Sequence, residues 1–138
     1  MLQAKARNQR SVLRLYTRCH RALVQVGLDP RLGFVHTDRA GGKLSLVYDF
    51  VEEFRGVGAD RIVLSLISRG IVLHRRKDGM LSLPTRRKIA RAFARNLTLR
   101  CRWRTTRLPL AAVIDAQAKH LAEILVERKP YRAFLYNH

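Results

Sequence analysis

Apolar residues near the start of the chain recur with helical spacing. Val12, Leu15, Tyr16, Cys19, Leu23 and Val26 make one stripe, the signature of an amphipathic helix, and the pattern predicts a helix from about Lys5 to Val26. Arg7, Arg10, Arg14, Arg18 and Arg21 step along its other side, and no acid precedes Asp29 to neutralise them. Gly27 is a natural left-handed stop, and Asp29-Pro30 prevents continuation. A glycine-punctuated loop follows, then a second helix from about Leu44 to Phe54. In it Leu46, Phe50 and Phe54 share a row with Val47 and Val51 beside them. Asp49 and Glu53 flank that apolar face one turn apart. Gly56 and Gly58 predict a break, with Asp60 as N-cap of a third helix from Arg61 to Ser68.

The period then changes. Ile71-Val72-Leu73-His74 and Met80-Leu81-Ser82-Leu83 flank Lys77-Asp78-Gly79, which predicts a hairpin and the only β structure in the chain. Pro84-Thr85 opens a helix through about Leu97, with Ile89, Phe93 and Leu97 inward. A last helix starts near Pro109, with Val113, Ile114, Gln117, Leu121 and Leu125 on its inner side. Tyr131-Arg132-Ala133-Phe134 should fold back on the core through its aromatics. The expected fold class is mainly α: a single helical domain of about five to six helices with one short β-hairpin.

Composition narrows the function. The chain has 138 residues, enough for one core, and 47% of them are apolar, which suits a folded domain rather than a disordered one. Lys and Arg number 28 against 10 Asp and Glu, a net charge of +18 that calls for a polyanionic partner. No apolar run approaches the roughly 18 residues of a membrane span, and residues 1–11 lack the apolar core of a secretory signal. Cys19 and Cys101 form no motif and no zinc spacing exists, so both are expected as reduced thiols in a cytoplasmic protein.

In so basic a chain, one histidine and one acid stand out. His36 lies on the loop Gly33-Phe34-Val35-His36, and Asp49 follows thirteen residues later inside a helical pattern. A carboxylate bordering an apolar face is costly unless it is paired or metal-bound. Imidazole with carboxylate suits Mg²⁺ or Mn²⁺ whose shell is completed by phosphate oxygens and water. A packed histidine and an Asp49–arginine ion pair are the alternative.

The run Gly27-Leu28-Asp29-Pro30-Arg31-Leu32-Gly33-Phe34-Val35-His36, then Asp49-Phe50-Val51-Glu52-Glu53-Phe54-Arg55, then Asp60-Arg61 before an apolar helix, resembles the CRISPR-associated endonuclease and spacer integrase, the first universal Cas protein. Asp78-Gly79-Met80-Leu81-Ser82 with Arg86-Arg87-Lys88, and Gln117 with Leu121 before Tyr131 and Phe134, are similar to that family's later segments. The likeness runs from about Ser11 to Phe134.

The resemblance implies a metal-dependent enzyme of antiviral defence. In that family a free DNA 3′-hydroxyl attacks a phosphodiester at a CRISPR repeat, inserting a new spacer. It implies His36 and Asp49 as catalytic metal ligands for Mg²⁺ or Mn²⁺, with a glutamate from an upstream helix as the third. No acid precedes Asp29 to match that glutamate. Glu53, one turn from Asp49, is a better-placed substitute than Glu52, though the resemblance casts both as helix-surface or structural residues. Residues 1–138 are thus expected to be the carboxy-terminal helical catalytic domain. The family's amino-terminal β-rich domain, through which its subunits pair, is absent from them. A truncated or split enzyme with weak activity alone is the corresponding expectation. Implied partners are spacer-precursor and repeat DNA, the second universal Cas protein, a homodimer mate in full-length members, and a separate chain carrying the β-rich domain.

The basic residues fit a nucleic-acid partner by themselves. Arg86, Arg87, Lys88, Arg91, Arg95, Arg100, Arg102, Arg104 and Arg107 fall between Pro84 and Ile114 without a single acid, and arginine forks suit phosphate oxygens. Arg14, Arg18, Arg21, Arg86, Arg87 and Arg91 are the expected DNA contacts, with Gln117 either touching DNA or bridging two helices. Trp103 fits the core better than a base stack. Two other functions compete: a non-catalytic DNA-binding scaffold of the same complex, and a ribosomal-type RNA-binding protein indifferent to His36 and Asp49.

Overall fold

The computed structural model describes residues 2–31 and 45–136. Its order is α1 (Leu2–Gln25), α2 (Ser45–Arg55), a π-turn (Gly56–Asp60), α3 (Arg61–Ser68), α4 (Leu83–Leu97), β1 (Arg100–Trp103), β2 (Thr106–Pro109) and α5 (Leu110–Glu127). The mainly helical class with one hairpin is what the sequence predicts. His36 lies outside the described residues.

α1 is the central element, packed against α2, the π-turn, α3, α4 and α5. Leu15, Cys19, Ala22 and Leu23 of its apolar stripe are buried, with Val12, Tyr16 and Val26 half-buried at the edges. The helix ends as the sequence predicts. Gly27 takes φ +80°, and the Leu28 N–H reaches back to the Leu23 carbonyl at 3.1 Å, the closing bond of a left-handed glycine cap.

The predicted break at Gly56 and Gly58 does not occur. Arg55, Asp60 and Arg61 all hold right-handed helical angles, so α2 runs into α3 through the π-turn. Asp60 accordingly does not act as a cap: the backbone passes through it in helical conformation into α3, and its side chain makes no capping bond. Gly58 serves close approach instead. A Cβ at this position would meet Leu15 Cδ1 of α1 at 2.9 Å. Asn96 of α4 donates to the Val57 carbonyl at 2.6 Å, satisfying an acceptor in a turn where α-helical pairing is interrupted.

The hairpin is also displaced from its predicted place. Around Asp78-Gly79 a turn does form: Gly79 has φ +80°, and the Arg76 N–H donates to the Met80 carbonyl at 2.7 Å. Only one isolated bridge, Arg75 with Leu81, follows from it, because Leu73 and Leu81 each turn separately into the core. The two-stranded antiparallel sheet is β1–β2, with Arg100 opposite Pro109 and Trp103 opposite Thr106. Arginines mask its alternation, since Arg100 and Arg102 are exposed while Cys101 is buried and Trp103 half-buried.

α4 starts at a true cap: Ser82 Oγ accepts from the Thr85 N–H at 3.3 Å, with Pro84 in the first turn. α5 buries Val113, Ile114, Gln117, Ala118, Leu121 and Ile124. Leu125, expected inward, is 43% exposed; the step from Leu121 is three residues, and Ile124 takes the inner place. The tail folds back as expected, with Phe134 stacked on Phe54 at 5.1 Å between ring centroids. Both cysteines are free and buried, and burial pushes both thiols above their usual range. Among the described residues no helix is long and apolar enough to cross a membrane.

Candidate functional site

The apolar rows of α2 fix where its polar residues stand. Leu46, Val47, Phe50, Val51 and Phe54 are buried, which leaves Asp49 half-buried at the border of that face. Beside it the half-exposed Tyr48 ring lies 5.3 Å from Tyr16 of α1, and His20 stacks on Tyr16 at 6.2 Å. Burial, then the neighbouring Tyr48, raises the Tyr16 hydroxyl above its ordinary value. The apolar stripe of α1 hid this aromatic cluster, because Tyr16 counts there as a core residue. His36 lies outside the described residues. Among the described residues no three His, Cys, Asp or Glu side chains gather in a metal-binding group.

Glu53, one turn beyond Asp49, is engaged by other partners. Its carboxylate accepts from the Tyr131 hydroxyl at 2.5 Å, the Phe134 N–H at 2.8 Å and Gln117 Nε2 at 3.2 Å. Burial pushes its carboxyl above the usual range, and these three bonds pull partly back. Glu52, exposed, pairs with Arg55 at 3.2 Å.

Gln117 sits at the centre of this network, 2% exposed. Its Oε1 accepts from the Trp103 indole at 3.0 Å. Its Nε2 lies 2.8 Å from both the Tyr131 hydroxyl and the Arg132 carbonyl. An amide nitrogen has two protons, so these shorter contacts take both and the Glu53 contact is shared. These contacts join α5 to β1 and the tail, which is the bridging one of its two predicted roles. Trp103, half-buried and bonded to Gln117, keeps its core role.

The predicted arginine stripes divide. Arg10 and Arg14 of α1 face Arg86 and Arg87 of α4 across a groove of about 440 Å³, whose apolar lining includes Leu13, Leu83 and Ile89 and which no acid lines. Two runs more than 70 residues apart in sequence thus make one basic surface. Arg10 belongs to the stripe but was not among the expected contacts; its place shows only when α4 packs on α1. Arg21 and Arg91 are exposed but do not line the groove. Arg18 points elsewhere: it bonds Asp115 at 2.6 Å and the Ala111 carbonyl at 3.0 Å, fastening α1 to α5.

Residues 11–95 match the family model described as CRISPR associated protein Cas1. The chain is 34% identical over 122 residues to CRISPR-associated endonuclease Cas1 2 of Saccharolobus solfataricus, covering 87% of this chain and 39% of that protein. It is 57% identical over 49 residues to CRISPR-associated endonuclease Cas1 1 of Chlorobaculum tepidum, 36% of this chain and 14% of that one. Among solved structures, a casposase bound to integration product matches 91% of this chain and 38% of its own, with TM-score 0.79 and 28% identity. A Cas1 protein from Thermotoga maritima gives TM-score 0.79 at 21% identity, over 88% of this chain and 39% of its own, a likeness of fold. The chain spans 39% of the length of the first of these relatives.

Proposed function

The chain belongs to the CRISPR-associated Cas1 family, and we propose that it serves as the helical catalytic domain of a metal-dependent DNA endonuclease and integrase that inserts spacers into a CRISPR array. The observation that carries this reading is that one matched stretch, residues 11–95, holds His36, Asp49 and the groove arginines Arg14, Arg86 and Arg87. The donor set fits a hard divalent cation: a carboxylate at the edge of an apolar face, and an imidazole thirteen residues earlier in the sequence.

His36 and Asp49 would hold Mg²⁺ or Mn²⁺, with DNA phosphate oxygens and water as further ligands. Such an ion, when bound, offsets charge on the phosphorus-bound and leaving oxygens while a DNA 3′-hydroxyl attacks. Arg10, Arg14, Arg86 and Arg87 position the strand through its phosphates without reading its sequence. Arg18 acts on stability through Asp115 rather than on DNA. The Glu53–Tyr131–Gln117 network holds α2, and with it Asp49, against α5 and the tail.

Two of the three ligands implied by the family resemblance lie in these residues. Glu53 is engaged elsewhere, so the glutamate is expected from another segment or a separate chain. Residues 1–138 alone are then expected to turn over DNA feebly or not at all. The second universal Cas protein and a homodimer mate are the further partners of this reading, in the cytoplasm.

The test is an Mn²⁺ titration followed by NMR of the histidine ring protons. Selective broadening of His36, lost in Asp49→Ala, is the expected result. An unchanged His36 signal at millimolar Mn²⁺ would favour the second reading, a non-catalytic DNA-binding scaffold. That alternative draws on one observation: Arg10, Arg14, Arg86 and Arg87 line one groove with no acid among its lining residues, a surface that binds phosphates without any metal.

A further inference from the structure

The β1–β2 hairpin carries arginines that the groove does not use. Arg100, Arg102, Arg104 and Arg107 are all exposed, and among the described residues none of them makes an ion pair with a carboxylate. Three of the four guanidinium groups are nonetheless hydrogen-bonded. Arg100 Nη2 donates to the Arg107 carbonyl at 2.7 Å, and Arg102 Nε to the Arg104 carbonyl at 3.3 Å. The Arg104 guanidinium lies 4.5 Å from the centre of the Trp103 ring and donates to His120 Nδ1 at 2.8 Å.

His120 is therefore an acceptor and neutral, and burial followed by the Arg104 charge lowers its pKa. These cations are fixed in direction yet not neutralised. An ordinary solvated face has mobile side chains instead.

Arg104 also occupies the left-handed region, φ 54°, at the hairpin tip. Glycine would take that conformation without strain, so the arginine stands where the backbone disfavours it, the kind of residue that clusters at ligand sites. The tip meets the tail at a crevice of about 110 Å³, where Arg102, Arg104, Arg132 and His120 surround Trp103 and Gln117 and no acid lines the wall. That volume suits a phosphate group and is too small for a drug-sized ligand. No residue is shared with the α1–α4 groove.

We propose that the hairpin tip and the tail form a second phosphate-binding site, which takes the backbone of a nucleic-acid strand separately from the groove. This rests on the nucleic-acid part of the proposed function and needs no metal. Charge-assisted, geometrically fixed guanidinium forks are the chemistry that grips a phosphodiester. Two independent backbone sites on one small domain allow it to hold two strands, or two parts of one bent duplex, at once.

Trp103 is the only tryptophan, so the site carries its own reporter. A fluorescein-labelled 20-base-pair DNA duplex is titrated into the full chain in EDTA, following both label anisotropy and Trp103 emission. The expected result is a saturable change in Trp103 emission. Arg104→Gly with Arg132→Ala weakens it about tenfold, while Arg14→Ala with Arg86→Ala lowers anisotropy-detected binding and leaves the Trp103 response in place. Arg104→Gly relieves the backbone strain, so loss of folding does not account for its effect; thermal melting checks this.

Anisotropy that saturates with no change in Trp103 emission overturns the proposal. So does an equal weakening of the Trp103 response by the charge-matched control Arg69→Ala with Lys77→Ala. Because metal is withheld, failure of the catalytic reading leaves this outcome untouched.

Discussion

The Tyr131 hydroxyl donates to Glu53 Oε1 at 2.5 Å, joining residues 78 positions apart. This bond pins the tail to α2. Removing the donor leaves a buried carboxylate short of one partner, which costs about 1–3 kcal/mol. Tyr131→Phe is expected to lower unfolding free energy by that amount in urea denaturation. A variant as stable as the parent would mean that the Phe134 N–H and Gln117 suffice for Glu53.

The same carboxylate gives a pH signature. Burial raises the Glu53 pKa above its ordinary 4.5, so the folded state binds its proton more tightly than the unfolded chain does. Its stabilising contribution is complete below pH 4.5 and is lost as pH rises through the folded-state value. Glu53→Gln abolishes this component, so its melting temperature relative to the parent should climb as pH increases across that window. A constant difference at every pH would refute it.

Gly58 and Leu15 predict a change of sign. Leu15 is fully buried, and a Cβ on residue 58 would stand 2.9 Å from its Cδ1. Gly58→Ala is expected to destabilise the parent by about 1–3 kcal/mol through overpacking. In a Leu15→Ala background the same substitution fills space and adds helix propensity worth about 1 kcal/mol, and should stabilise. Additive effects in the double-mutant cycle would show that the two residues do not touch.

The groove and the α1–α5 fastening separate by salt. Engagement of about six phosphates gives a slope of log affinity against log salt near −5. Arg14→Ala with Arg86→Ala should make that slope shallower by about two. Arg18→Ala, which breaks the partly exposed pair with Asp115, should cost about 0.2–1 kcal/mol of stability and leave the slope unchanged. A flat salt dependence in the parent would remove the nucleic-acid reading.

Much of this was legible in the chain because burial follows helical period. The stop at Gly27, the inward Ile89 and Phe93, and the returning Phe134 all follow from apolar spacing. Glycine misled at Gly58, where it signals contact with Leu15 rather than a break; one sequence does not tell those uses apart. The β1–β2 hairpin is hidden in the sequence because Arg100-Cys101-Arg102-Trp103 presents a charge run before it presents alternation. The place of Asp49 at the border of an apolar face is legible in its spacing, and the basic character in composition. The pairing of Arg10 with Arg86 and Arg87, and the enclosure of Gln117, depend on contacts across distant segments that no local pattern encodes.

The two buried thiols have a practical consequence. Cys19 and Cys101 are the only cysteines in the chain, and both are shielded from solvent with the protonated form favoured. Alkylating dyes and cross-linkers react with exposed thiolate, so the unaltered protein offers them almost no target. A single cysteine introduced on the hairpin or the groove wall would be labelled selectively. Distance measurements by attached probes then require no prior removal of native sulfur.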